Sequence, residues 1–134
     1  MHSLRELREA LSSRGLAPRK ALGQCFLIDA NLAAKLLDRA GVGAGDVALE
    51  VGPGAGALTE GLLERGCVVV ACEVDRGLCA LLRDRFGQAI ASGQLRLVEG
   101  GCLDAAGGLN SEARAALGEG PWRLVANLPY NVGT

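Results

Sequence analysis

Leu49-Glu50-Val51-Gly52-Pro53-Gly54-Ala55-Gly56-Ala57 is the stretch on which the fold of this chain turns. The apolar run Val47 to Val51 reads as a strand, Gly52 to Gly56 as a glycine turn, and Leu58 to Arg65 as a helix ended by Gly66. Beyond it, Cys67 to Glu73 is a continuous apolar run, as expected of a strand covered on both faces. The turn satisfies G-x-G-x-x-A, and Glu73 lies 21 residues past Gly52. Glycines let backbone approach a ligand closely, and an acid at the end of the next strand can accept hydrogen bonds from vicinal hydroxyls. The combination points to an adenosine-bearing ligand.

Charge narrows the choice. A nicotinamide dinucleotide would set a pyrophosphate on this turn, and Glu50, two residues before Gly52, would oppose it. S-adenosylmethionine carries no phosphate; its sulfonium and ammonium are cationic, so carboxylates near the turn favour it. Glu50 therefore tips the reading toward S-adenosylmethionine, with a dinucleotide-binding oxidoreductase as the alternative.

The same alternation continues along the chain. Ala30 to Ala40 reads as a helix capped by Asp29 and closed by Gly41, with Leu32 and Leu36 on its inner face. Arg76 to Phe86 reads as a helix, Leu95 to Val98 as a strand, Ser111 to Leu117 as a short helix, and Arg123 to Ala126 as a last strand. The fold class is α/β with a parallel sheet. A doubly wound order of 3-2-1-4-5 leaves Arg123 to Ala126 at an open edge, so the chain reads as a fragment, truncated after the fourth strand. The chain reads as at most one domain, with no internal repeat and no linker. Ser3-Leu4-Arg5-Glu6 is a capping box opening a helix with Leu4, Leu7 and Leu11 on one face, and Gly15 to Ile28 is irregular.

Of the 134 residues, 49% are hydrophobic and 22% charged, which is globular. No apolar run approaches the ~18 residues of a membrane span. The net charge of −1 is unevenly spread: residues 1–40 carry seven Lys/Arg against four acids, residues 41–134 seven against eleven. A basic arm on an acidic body suits a polyanion at the arm, and equally a solvated helix face. The five cysteines (Cys25, Cys67, Cys72, Cys79, Cys102) include no C-x-x-C pair, and the chain has one His. No metal site is expected, and the thiols suit a reducing compartment.

Near its end the chain reads Asn127-Leu128-Pro129-Tyr130, directly after the apolar Leu124-Val125-Ala126. The Asn127 carboxamide oxygen and the carbonyl before Pro129 can accept both hydrogens of an exocyclic amine, while the Tyr130 ring stacks on the base. A strand followed by a plain proline turn is the alternative.

Lys20-Ala21-Leu22-Gly23-Gln24-Cys25-Phe26-Leu27, the glycine turn with Leu58-Thr59, Cys72-Glu73-Val74-Asp75 and Asn127-Leu128-Pro129-Tyr130-Asn131 together closely resemble the ribosomal RNA adenine dimethyltransferases of the small subunit. The resemblance runs from about Lys20 to the end. It implies a Rossmann-like S-adenosylmethionine-dependent methyltransferase domain, partial here over residues 29–134, with residues 1–28 as a basic helix and cofactor-closing segment. It leaves outside this chain the rest of that domain and a helical RNA-binding domain. The implied reaction is dimethylation of N6 of two adjacent adenosines in small-subunit ribosomal RNA, free or in a pre-30S particle, by a cytoplasmic, monomeric, metal-free enzyme of ribosome biogenesis.

By motif, the resemblance assigns Gln24 and Leu27 to closing the cofactor pocket, with a main-chain contact from Cys25. Gly52 and Gly54 would line the methionine portion and Glu73 would hold the ribose. Asn127 would grip the target amine beside the cofactor, Leu128 supply a carbonyl, Pro129 fix the turn and Tyr130 stack on a flipped adenine. Two positions depart from the family pattern. Cys25 replaces the usual Asn or His. Gly101 replaces an Asp that reaches the cofactor's adenine amine, so only backbone is offered there and weakened cofactor affinity is expected. Asn127-Leu128 fits the small-subunit group better than the large-subunit resistance methyltransferases, whose motif more often begins Asn-Ile. A non-catalytic nucleic-acid-binding relative is the remaining alternative.

Overall fold

The strand from Val47 to Val51 (β1) lies at the centre of a four-stranded, wholly parallel sheet in the computed structural model, which describes residues 30–126. Val68–Glu73 (β2) flanks it on one side and Arg123–Ala126 (β4) on the other, with Leu95–Glu99 (β3) beyond β2. The order β3-β2-β1-β4 is the doubly wound arrangement anticipated, and β4 forms an edge of the described sheet. The strand order therefore reverses at β1, running out to β2 and β3 on one side and to β4 on the other, and such a switch opens a crevice at the strands' C-terminal ends.

Alternation along each strand sorts the core into two layers. Ala48, Val69, Ala71 and Leu95 face one side, where they meet helices Ala30–Ala40 (α1), Ala57–Glu64 (α2), Arg76–Arg85 (α3) and Gly87–Ser92 (α4) through Ala33, Leu37, Leu58, Leu62, Leu82, Phe86 and Ile90. Leu49, Val70, Cys72 and Val98 face the other side, against Ala113 and Leu117 of the helix Ser111–Leu117 (α5). By the same period of two, Glu50 belongs to the face of Ala48, and Glu73 to that of Val69 and Ala71. Both acids thus lie on the α2 side. The register pairs Glu50 with Ala71, two residues before Glu73.

Two details differ from the sequence expectation. Leu32 and Leu36 are exposed, and α1 instead buries Ala33 and Leu37. The small Ala33 lets the helix approach closely, and a helix face defined by the largest apolar residues misses that option. The helix after β2 also stops at Arg85. Phe86 leaves helical geometry (φ −116°, ψ 31°), and α4 follows until Gly93 ends it. The break turns the Phe86 ring toward α2, where it packs in the core. Asp75 caps α3 by accepting from Leu78 N–H at 3.0 Å, and Asn110 caps α5 by accepting from the N–H groups of Glu112 and Ala113. The Gln94 amide donates to the carbonyls of Leu63 and Cys67, pinning the start of β3 to the α2–β2 connection.

Candidate functional site

The glycine turn leaves the sheet at the end of β1. Gly52 N–H donates to Cys72 C=O at 3.0 Å, prolonging the ladder by one bond, and Gly56 N–H donates to Pro53 C=O at 2.9 Å to close the turn. Gly52, Gly54 and Gly56 have φ of +67°, +59° and +99°, a region that side-chain-bearing residues occupy at a cost. At Gly56 space is forbidden as well: a Cβ would stand 2.6 Å from Cε2 of Phe86. At Gly52 a Cβ would meet nothing within 4 Å. One side of the turn is packed and the other open, as a ligand cradle requires.

Glu73 closes this cradle from the neighbouring strand. It is 4% exposed; Oε1 accepts from Gly54 N–H at 3.2 Å and Oε2 from Asp75 N–H at 3.0 Å. Burial pushes its carboxyl above the usual range, while the N–H donors of Asp75, Gly54 and Val74 act the other way. Each oxygen retains a lone pair, so the carboxylate can still accept from ribose hydroxyls.

Glu50 is 1% exposed and accepts a hydrogen bond from the hydroxyl of the fully buried Thr59, in the first turn of α2, at 2.5 Å. Burial raises its pKa to about 7; the Thr59 hydroxyl lowers it and the neighbouring Glu73 raises it further. Two acids beneath one turn, to the extent that they are ionised, favour a cation there and oppose a pyrophosphate. The donor set thus fits S-adenosylmethionine and not a dinucleotide.

The third strand ends beside Glu73, whose carbonyl accepts from Gly100 N–H at 2.9 Å. Gly101 is exposed and its carbonyl accepts from the Asn110 amide at 3.2 Å, which ties this loop to α5. Asp104 does not stand in for the acid missing at Gly101. Its carboxylate accepts from the N–H groups of Ala106 and Gly108 and so is engaged in its own loop.

Gly52, Gly54, Glu73 and Gly101 are therefore brought together at the C-terminal ends of three adjacent strands. Gln24, Cys25, Leu27, Asn127, Leu128, Pro129 and Tyr130 lie outside the described residues, as does the N-terminal helix. The structure adds Thr59 and Asn110. No local pattern links Thr59 to Glu50. Asn110 did carry a signal, since an Asn directly before a helix start is a favoured cap. Among the described residues no group of acids, cysteines and histidines is placed to hold a metal, and no helix is long and apolar enough to cross a membrane.

A parallel sheet with a glycine turn after β1, an acid ending β2 and helices on both faces defines a Rossmann-like methyltransferase fold. A dimethyladenosine transferase from Plasmodium falciparum shares it, with a TM-score of 0.54 and 21% identity over 78% of this chain and 34% of that one. The chain belongs to the ribosomal RNA adenine dimethylase family, whose model matches residues 15–134. It is 47% identical, over all of its length, to the ribosomal RNA small subunit methyltransferase A of Phenylobacterium zucineum (strain HLK1), and 46% identical over 95% of its length to that of Leifsonia xyli subsp. xyli (strain CTCB07). It spans 44% and 43% of those relatives' lengths.

Proposed function

We propose that this segment is the cofactor-binding part of an S-adenosylmethionine-dependent enzyme that dimethylates N6 of two adjacent adenosines in small-subunit ribosomal RNA, free or in a pre-30S particle. The observation that carries the reading is the register of β4. Ala126 stands opposite Val51, the residue before the glycine turn, so the chain arrives at the cofactor cradle one residue ahead of Asn127. The relatives' printed names support the substrate, and the family match covers both the turn and the Asn127 motif.

S-adenosylmethionine supplies the sulfonium-bound methyl group when bound. Gly52 and Gly54 give it backbone without side-chain obstruction, Glu73 accepts from its ribose hydroxyls, and Glu50 supplies negative charge beneath the turn. Gln24 and Leu27 close the pocket, with backbone from Cys25. Asn127 and the Leu128 carbonyl accept the two hydrogens of the target amine. This favours a pyramidal nitrogen and aims its lone pair along the line of displacement. Pro129 holds that carbonyl in place, and Tyr130 stacks on the adenine. The two acceptors would stabilise the positive charge that develops on the amine, so little proton chemistry would be asked of the side chains during attack, and the methylated amine would lose its proton to water afterwards. The unit works in a cytoplasmic monomer, with residues 1–28 as its basic N-terminal helix and cofactor-closing segment. Incubating the full-length protein containing this segment with labelled S-adenosylmethionine and undermethylated small-subunit particles tests the reading. Label in two adjacent adenosines supports it; label elsewhere or none refutes it.

A further inference from the structure

Glu73 and the loop after β3 together define where a nucleoside base must lie. With the amino-acid portion of the ligand on the glycine turn and its ribose at Glu73, the base runs on to the next strand end, residues 100–103. That loop is joined to Glu73 by the Gly100 N–H to Glu73 C=O bond. Val74 and Leu103, 72% and 63% exposed, offer apolar surface on either strand end for a flat ring.

The base edge meets an unusual lack of charge. Among the described residues, the acids around that loop other than Glu112 are each anchored elsewhere by at least one bond. Glu99 pairs with Arg83 at 3.1 Å, Asp75 caps α3, Asp104 is held by Ala106 and Gly108, and Glu73 holds Gly54 and its own strand end. Gly101 contributes no side chain, and its carbonyl already accepts from Asn110. A Cβ at Gly101 would meet only the Leu103 carbonyl, at 3.8 Å, so there is room beside it. Among the described residues, Glu112, exposed on the first turn of α5, is the nearby acid whose carboxylate is not anchored in this way.

We propose that this chain binds its cofactor's base without a charged acceptor for the 6-amino group, and so accepts S-adenosyl ligands alkylated at N6 about as readily as the unmodified ones. The inference rests on the cofactor reading above. Its chemistry is that of an unread donor: a site with a buried acceptor rejects an analogue that strands it, whereas a site without one loses nothing when a methyl replaces a hydrogen. Gly101 is then the residue that sets base-edge selectivity, and its φ lies outside the left-handed region, so an aspartate fits there without backbone strain.

Calorimetric titration of the full-length protein with S-adenosylhomocysteine and with its N6-methyl and N6,N6-dimethyl forms decides the matter. The expected result is three dissociation constants within about fivefold of one another, and a gap of about a hundredfold or more between the unmodified and dimethyl forms in Gly101→Asp. Gly101→Asn, an uncharged acceptor of similar size, is expected to open a smaller gap and covers the case of a misfolded aspartate variant. A hundredfold preference for the unmodified form in the unaltered protein overturns the inference. Loss of that preference in Glu112→Gln would identify Glu112 as the acceptor. Failure of S-adenosylhomocysteine itself to bind removes the cofactor reading along with it.

Discussion

The carboxylate of Glu73 accepts a hydrogen bond from the backbone N–H of Gly54 at 3.2 Å, joining the end of β2 to the middle of the glycine turn. An acid expected to face ligand hydroxyls thus also holds the turn that receives the rest of the ligand. Shape and recognition are coupled through one side chain. Glu73→Ala frees two N–H donors, that of the buried Gly54 and that of the part-buried Asp75, and is expected to lower S-adenosylhomocysteine affinity by about a hundredfold or more, as hydrogen bonds to charged groups contribute about 1.5–3 kcal/mol each. Glu73→Gln keeps one acceptor and should lose about tenfold. Equal binding by all three proteins in calorimetry would remove Glu73 from the site.

Glu50 predicts a pH dependence. Its pKa in the fold is about 7, against 4.5 ordinarily, so the folded chain holds a proton there that the unfolded chain releases. Its contribution to stability is therefore highest below pH 4.5 and declines as pH rises toward 7. A cationic cofactor favours the ionised form, so affinity should rise as the folded Glu50 ionises around pH 7, about tenfold between pH 6 and pH 8. Glu50→Gln should flatten both trends. A variant whose binding follows the parental pH profile would show that another group titrates.

Gly56 is constrained by both conformation and space, since its φ is +99° and a Cβ would lie 2.6 Å from the Phe86 ring. Gly56→Ala should destabilise the fold by about 2 kcal/mol or more, measured by urea unfolding. Combining it with Phe86→Leu should recover the steric part only, leaving the backbone part. Full recovery in the double variant would mean that backbone strain contributes nothing.

Gly101→Asp should tighten binding of S-adenosylmethionine by about tenfold, as a charged acceptor is added opposite an amine. Titration calorimetry showing no gain counts against a base amine at this loop.

Asn127→Ala in the full-length protein should abolish most turnover while leaving cofactor affinity nearly unchanged, because its role is toward the target amine. Loss of binding and turnover to the same degree would exclude that role.

The strands and their order of appearance were legible because a parallel strand buried on both faces is a near-continuous apolar run: Val68–Glu73 is of that kind, Val47–Val51 departs from it only at the buried Glu50, and Leu95–Glu99 keeps Leu95, Leu97 and Val98 apolar around the exposed Arg96. The inner face of α1 was misread because Ala33 rather than Leu32 approaches the core. The helix after β2 was read to Phe86, one residue past its end, but the short helix Gly87–Ser92 was missed, and nothing in Arg83-Asp84-Arg85-Phe86-Gly87 marks where the Phe86 ring will find Gly56, thirty residues earlier.

Sequence alone determined the glycine turn, the acid that answers it 21 residues later and the tetrapeptide that follows β4, because these are short-range patterns of residue type whose spacing survives without coordinates. Only the tertiary structure decided that Glu50 is sealed beneath the turn on the Thr59 hydroxyl, that Glu73 holds Gly54, and that Asp104 is bound into its own loop. The reason is physical. Whether a carboxylate is available to a ligand depends on which donors the fold brings within about 3 Å of it. For Glu50 the donor comes from α2; for Glu73 one comes from the distant glycine turn and one from Asp75, two residues on; for Asp104 they come from the path of its own loop.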